Sequence, residues 1–325
     1  MRNLPKKLII SSPAKLNLYL AVLDVRGDGF HGLKSVFLAT DFADILRFKS
    51  REGENFLEIT MKARYREGTE SYKWKNLNSI PLSENIIYKA VSLFRNETGF
   101  AQPLKVDVEK RVPPGSGLGG GSSNAAAALL ALNTMAGFPC KQETLLKMAS
   151  SLGSDVPFFL HNASAAWVAG RGERVSPLET PGWFFVLVNP GFPSDTAAAF
   201  RQLDEHRARS EKIMKPQRAS VPLDSGIPWF SSRFLDGSDM FSRFNEIKFQ
   251  GKVFWNDFLE VSSEPEKSIY NDIIFQLLEL SADYAGLSGT GSTCFGVFKE
   301  KKKARKAAFF MRKKWSFTAF CGLKR

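Results

Sequence analysis

The stretch 112–132, VPPGSGLGGGSSNAAAALLAL, places five glycines and three serines within the nine residues 115–123 and then turns into an alanine-rich run. Glycine opens the backbone to φ > 0 and leaves no Cβ between the main chain and a neighbour, at an entropic cost that folding must offset. A glycine-rich loop that ends on a helix offers unpaired backbone N–H groups at the positive end of the helix dipole. That is an anion site suited to phosphate. Ser116, Ser122 and Ser123 add hydroxyls. A flexible linker has a similar composition, but linkers do not sit between a clean strand and an alanine-rich helix. Phosphate binding is the chemistry to expect.

The flanking pattern narrows the kind of phosphate loop. PLKVDVEKRVP alternates Leu104, Val106 and Val108 as a strand does and feeds directly into the glycines. The order is strand, loop, helix. GSGLGG (115–120) fits G-x-G-x-x-G, but a dinucleotide fold needs a second strand after the helix, ending in Asp or Glu about twenty residues on. A second helix, KQETLLKMASSLG, stands in that place. No Lys-Ser or Lys-Thr follows the glycines, so the Walker pattern fails, and neither His-Arg-Asp nor Asp-Phe-Gly occurs.

The elements that must position this loop can be read outward from it. KLIISSPAKLNLYLAVLDV reads as strands broken at Ser-Ser-Pro, and LATDFADILRFKS and FLEITMKARY continue a β-rich start. SENIIYKAVSLFRNETG predicts a helix capped by Ser83, with an apolar stripe of Ile86, Ile87, Ala90, Leu93 and Phe94 and a stop at Gly99. WFFVLVNPG is a strand that opens a second half, with the boundary near residue 180. The polar stretch 204–240, broken by Pro and Gly, reads as a long connection. The tail gives helix SIYNDIIFQLLEL, strand YAGLS, turn GTGST, strand CFGVF, a basic helix within 299–315 and strand SFTAF.

The composition, 325 residues with 43% hydrophobic and 24% charged, suits a globular protein with two domains, 1–180 and 181–325. Three cysteines far apart, with no C-x-x-C, suggest neither a disulfide framework nor a zinc site, and no metal-ligand cluster stands out. A cytoplasmic setting follows, since the apolar LII near the start is too short for a signal peptide and no window approaches the roughly 18 apolar residues of a membrane span. The formal charge of +12 favours anionic partners. The basic helix is read as a solvated face rather than a nucleic-acid patch.

Several motifs together resemble the GHMP kinases, which include galactokinase, homoserine kinase and mevalonate kinase. PPGSGLGGGSSNAA is similar to that family's P-x-x-x-G-L-G-S-S-A-A loop, and SPAKLNLYL, RGDGFHGL, LGSDVPFFL and SGTGSTCF agree in order over most of the chain. The extra glycine and the Phe-His pair match a branch that uses ATP, with Mg²⁺, to phosphorylate the C2 hydroxyl of a methylerythritol carrying cytidine diphosphate.

The resemblance implies a two-domain α+β kinase. Its N-terminal βαβ-type domain resembles a ribosomal-protein domain, its C-terminal domain is ferredoxin-like, and ATP and substrate meet between them. Asp155 matches the catalytic base and Lys15 its basic partner. The phosphate cradle is Pro113, Pro114, Gly115, Ser116, Gly117, Leu118, Gly119, Gly120, Gly121, Ser122 and Ser123, with Asn85 and Lys110 near the adenine. Phe30 and His31 match a Tyr-His pair that stacks on cytosine and bonds its edge, Asn17 lies beside the substrate, and Phe200 is the opposite stacking aromatic. Phe30 departs from Tyr, losing a hydroxyl and keeping the π-face. A GHMP kinase of mevalonate or homoserine type is an alternative, as is a basic nucleic-acid-binding protein without ATP turnover.

Overall fold

A computed structural model describes residues 4–53, 56–64, 80–214 and 255–324, without the side chains of 210–214. It begins with two long antiparallel strands, β1 (Lys7–Val25) and β2 (His31–Ser50), joined by a tight turn in which Arg26 N donates to Phe30 O at 2.8 Å. The Ser-Ser-Pro stretch does not break the first strand as its sequence suggested. Pro13 has no N–H to give the ladder, and the register instead shifts between Pro13 and Lys15 and again between Asn17 and Tyr19. A bulge absorbs the irregularity and re-aims the residues beside it, and those residues are Lys15 and Asn17.

The first sheet is completed by β3 (Leu57–Ala63), β4 (Leu104–Lys110), β5 (Ala165–Gly170) and β6 (Arg174–Pro177), in the order β3-β4-β2-β5-β6 with β1 on β2. β4 buries Leu104, Val106 and Val108 as its alternation predicts, and it buries Lys110 with them. Helix α1 (Ile86–Thr98) is capped by Asn85, whose side chain accepts from Ile87 N, and not by Ser83. Gly99, at φ 70, ends it as expected. Ser83 falls in a 3₁₀ turn just upstream.

Helix α2 (Gly120–Met135) is buried nearly all round, and its alanines let α1 and the sheet approach its axis closely. α3 (Gln142–Leu152) and the short α4 (Val156–Leu160) follow, the latter beginning just after Asp155.

A second sheet, ordered β10-β7-β9-β8, contains β7 (Phe184–Asn189), β8 (Tyr284–Leu287), β9 (Cys294–Phe298) and β10 (Phe317–Gly322). With α7 (Glu266–Glu279) and α8 (Lys301–Lys314) it gives the order βαββαβ of a ferredoxin-like unit. Ala304, Ala307, Ala308 and Met311 of α8 are buried while its Lys and Arg residues face out, which is the solvated basic face.

The stretch read as a connection starts instead as the end of helix α5 (Thr196–Met214); its continuation from 215, like residues 65–79, lies outside the described residues. α6 (Asp257–Val261) follows that gap. The two sheets share a core, where Leu16 and Leu18 of β1 pack with Phe185 and Phe295. That shared core buries every residue from Ser12 to Leu20, so a polar side chain in this part of β1 needs a partner. A smaller cluster closes α5 and α6 over the end of β1 through Leu203, Phe258, Leu20 and Val22.

Candidate active site

The glycine loop runs from the end of β4 to the N-terminus of α2 along a cleft of about 510 Å³, a volume that suits a small-molecule site. Lys15, Asn17, Asn85, Lys110, Asp155, Phe200 and most of the loop line the same cleft. Leu118 and Ser123 do not. Leu118 lies in the shared core, and Ser123 is buried, with its Oγ accepting from Ser12 Oγ at 2.8 Å.

The positive φ of Gly115, Gly117 and Gly119 is what a tight loop of this kind demands. The protein's own packing also leaves no room for a side chain at Gly117 and Gly119. A Cβ on Gly117 would lie 2.0 Å from Ser288 O, and one on Gly119 would lie 2.8 Å from Lys15 Cγ. The protein itself occupies that space. A Cβ on Gly121, by contrast, would meet nothing within 4 Å. The 288–293 turn laces onto the loop: Ser288 Oγ donates to Gly117 O at 2.9 Å and Thr293 N to Ser116 O at 3.1 Å. The SGTGST motif therefore serves to clamp the glycines from the second sheet.

Lys15 is buried, and its Nζ stands 3.5 Å from Asp155 Oδ2. It also donates to Asn17 Oδ1 and lies 4.9 Å over the ring of Phe37, while Lys15 N donates to Leu118 O at 2.9 Å. Asn17 is fixed from its other side, where Nδ2 donates to Ser35 Oγ at 3.0 Å. Asp155 is the more exposed partner, with 27% of its side chain accessible against 5% for Lys15. An ammonium held in place beside an accessible carboxylate can orient and deprotonate a hydroxyl.

Asn85 lines the cleft while capping α1. Lys110 is no exposed strand-end lysine. Its ammonium donates to Asp44 and, at 3.2 Å, to Asn124 Oδ1. Neither partner was among the expected site residues. Asn124 had a signal, as a polar residue at the head of an alanine run; Asp44, inside a strand, had none.

Phe30 is 52% exposed, so it is not a core residue. The Arg171 guanidinium lies 4.4 Å from its ring centroid. Arg171 was not foreseen either, although the Gly170 and Gly172 that flank it, both at positive φ, mark a tight hairpin. His31 Nε2 is held by the Asp204 carboxylate of α5 at 2.9 Å, which leaves Nδ1 as the nitrogen able to meet a ligand. The ring of Phe200 packs 5.0 Å from His31 and 4.9 Å from Phe258. Burial raises the thiols of Cys294 and Cys321 well above their ordinary value, so neither is a nucleophile at neutral pH. Among the described residues no group of three His, Cys, Asp or Glu could hold a metal ion, and no helix is long and apolar enough to cross a membrane.

Family models for the GHMP kinases N terminal domain and the GHMP kinases C terminal match residues 85–163 and 243–316. The 4-diphosphocytidyl-2-C-methyl-D-erythritol kinase of Prochlorococcus marinus (strain AS9601) is 32% identical, over 93% of this chain and 89% of its own. The chain belongs to this kinase family. The 4-diphosphocytidyl-2-C-methyl-D-erythritol kinase of Thermodesulfovibrio yellowstonii is likewise 32% identical, over 93% of each chain.

A crystal structure of a 4-(cytidine 5'-diphospho)-2C-methyl-D-erythritol kinase superposes with a TM-score of 0.69 at 27% identity, covering 98% of this chain and all of that one. The mevalonate kinase of L. major, at 13% identity and a TM-score of 0.64 over 98% of this chain and 97% of that one, shares the fold. The two-domain GHMP kinase fold is thus the architecture of this chain.

Proposed function

We propose that this chain transfers the γ-phosphoryl group of ATP to the C2 hydroxyl of 4-diphosphocytidyl-2-C-methyl-D-erythritol. The observation that carries the reading is the Lys15–Asp155 pair, 3.5 Å apart, lining one cleft with the glycine loop. In a family that phosphorylates alcohols, such a pair needs only a positioned hydroxyl and a held phosphate. Phosphoryl transfer is mostly positioning and electrostatic stabilisation.

The loop suits the phosphates of ATP because Gly121 leaves open space at the N-terminus of α2, where backbone N–H groups and the helix dipole favour an anion. Asp155 accepts the proton of the attacking hydroxyl as its oxygen bonds to phosphorus and the bond to ADP breaks. Lys15, 3.5 Å from Asp155, offsets charge on the transferred group. Mg²⁺ would enter with ATP and supply charge neutralisation, since no cluster among the described residues fits as its holder. Asn85 and the stem of Lys110 border the adenine side.

Phe30, with the open part of its ring, stacks on the cytosine; His31 bonds the base edge through Nδ1, and Asn17 and Phe200 complete the substrate wall. Three free cysteines support a reducing, cytoplasmic setting. A domain division near residue 180 is supported by the second sheet, whose first strand begins at Phe184. The test is ADP release with the diphosphocytidyl substrate, mevalonate and homoserine in parallel. Turnover with the first alone is expected, and turnover with either of the others instead would overturn the substrate assignment.

A further inference from the structure

Asp44, on β2, is fully buried, and four hydrogen bonds reach its carboxylate. Oδ1 accepts from Arg111 N at 2.7 Å and Val112 N at 2.8 Å. Oδ2 accepts from Lys110 Nζ and from Asn124 Nδ2, the latter at 2.9 Å. Asn124 Nδ2 also donates to Ser12 Oγ at 2.8 Å, and Ser12 Oγ donates in turn to Ser123. All four donors flank the glycine loop: Lys110 ends β4, Arg111 and Val112 begin the loop, and Asn124 lies in the first turns of α2. The network therefore ties together both ends of the loop.

The electrostatics explain why a carboxylate stands there. Lys110 Nζ would lie 3.4 Å from a Cβ on Gly120, so its charge sits at the N-terminus of α2, where the helix dipole disfavours a cation. A buried ammonium without a partner is costly, and removing one member of a buried pair leaves that cost uncompensated. Asp44 balances Lys110 and, with its other oxygen, satisfies two loop N–H groups that would otherwise be buried or pointed elsewhere.

We propose that Asp44 is a positioning residue for phosphate binding. It fixes the take-off of the loop from β4 and its landing on α2, so that the backbone N–H groups facing the cleft are set before the nucleotide arrives. Affinity is gained because less ordering remains to be done on binding. The ammonium of Lys110 acts inside this network and reaches the nucleotide's phosphates only through the loop it helps to hold. The proposal rests on the reading of the loop as the ATP site.

Asp44→Asn keeps the shape and removes the charge; Asn124→Ala, on an alanine-rich helix that accepts alanine, removes the second strut. Each is compared with the full-length wild-type chain by titration with a non-hydrolysable ATP analogue and by steady-state ADP release, at a temperature where thermal unfolding shows the variant folded. Asp44→Asn is expected to raise the KM for ATP about tenfold, in keeping with a lost charged hydrogen bond, while the KM for the diphosphocytidyl substrate moves less than about twofold. Asn124→Ala shifts the same constant in the same direction by a smaller factor. A folded variant whose ATP affinity matches wild type, or whose two KM values rise together as general loosening would make them, overturns the proposal. Should Asp44→Asn not fold, Asn124→Ala decides alone. Wild-type protein that fails to bind the ATP analogue would instead sink the nucleotide reading, a result distinct from wild-type binding with unchanged variants.

Discussion

The glycine loop is clamped by buried partners, Ser288 on one side and the Asp44 network on the other, whereas the corner around Phe30 is assembled from a turn, a hairpin tip and a helix that leave its central ring 52% exposed. The first region is held at its backbone by buried groups from elsewhere in the chain, and a change at a clamped position strains the fold. The second depends on side chains that touch one another near solvent, and a change there is expected to alter binding more than folding. In the proposed reading the loop holds the phosphates of a nucleotide common to a whole family and can be rigid, while recognition of the cytidine end falls to parts that can be exchanged without unfolding the protein.

The Lys15–Asp155 pair carries the proposed phosphoryl transfer, and breaking it should give the largest effect. Asp155→Asn is expected to lower kcat at least about a hundredfold, the scale of a lost general base, with ATP affinity within a few fold of wild type because the loop is untouched. Equal kcat would remove Asp155 from the mechanism.

The comparison sharpens within the loop itself. Gly117→Ala drives a Cβ to 2.0 Å from Ser288 O at positive φ, and it is expected to destabilise the fold by about 1–3 kcal/mol through overpacking. Gly121→Ala meets nothing within 4 Å, so its thermal midpoint should hold while ATP affinity falls. Equal unfolding midpoints for the two variants would show that the clamp carries no strain.

At the aromatic corner the signature reverses. Phe30→Ala is expected to cost about 1–3 kcal/mol of diphosphocytidyl substrate binding with little change in thermal stability, and Phe30→Tyr to be nearly silent. A large loss of stability without a loss of substrate affinity would end the stacking role. The smallest effect is assigned to Arg171→Ala. It removes a cation–π contact worth roughly 0.5–1 kcal/mol at an exposed site, and calorimetry with the same substrate should register it while the KM for ATP stays put.

The sequence by itself determined the parts whose signals are local. Alternation in β4, five glycines and an alanine run in succession, and the stop at Gly99 are written in adjacent residues, because backbone conformation answers mainly to neighbours a few positions away. The motif resemblance added Lys15 and Asp155 as a pair. One local signal erred where tertiary contacts overrode it. Ser-Ser-Pro became a bulge inside one strand because β2 supplies a partner on both sides of it, whereas the Ser83 error was itself local, since Asn85 stands directly before the first helical residue and accepts from Ile87 N. Only the tertiary structure decided that Gly117 and Gly119 make room for Ser288 and Lys15, that Lys110 turns to Asp44, and that Arg171 lies over Phe30. Each of these joins residues far apart in the chain, and which of them meet depends on sheet register and on how the second sheet docks against β1, information that no short stretch of residues contains.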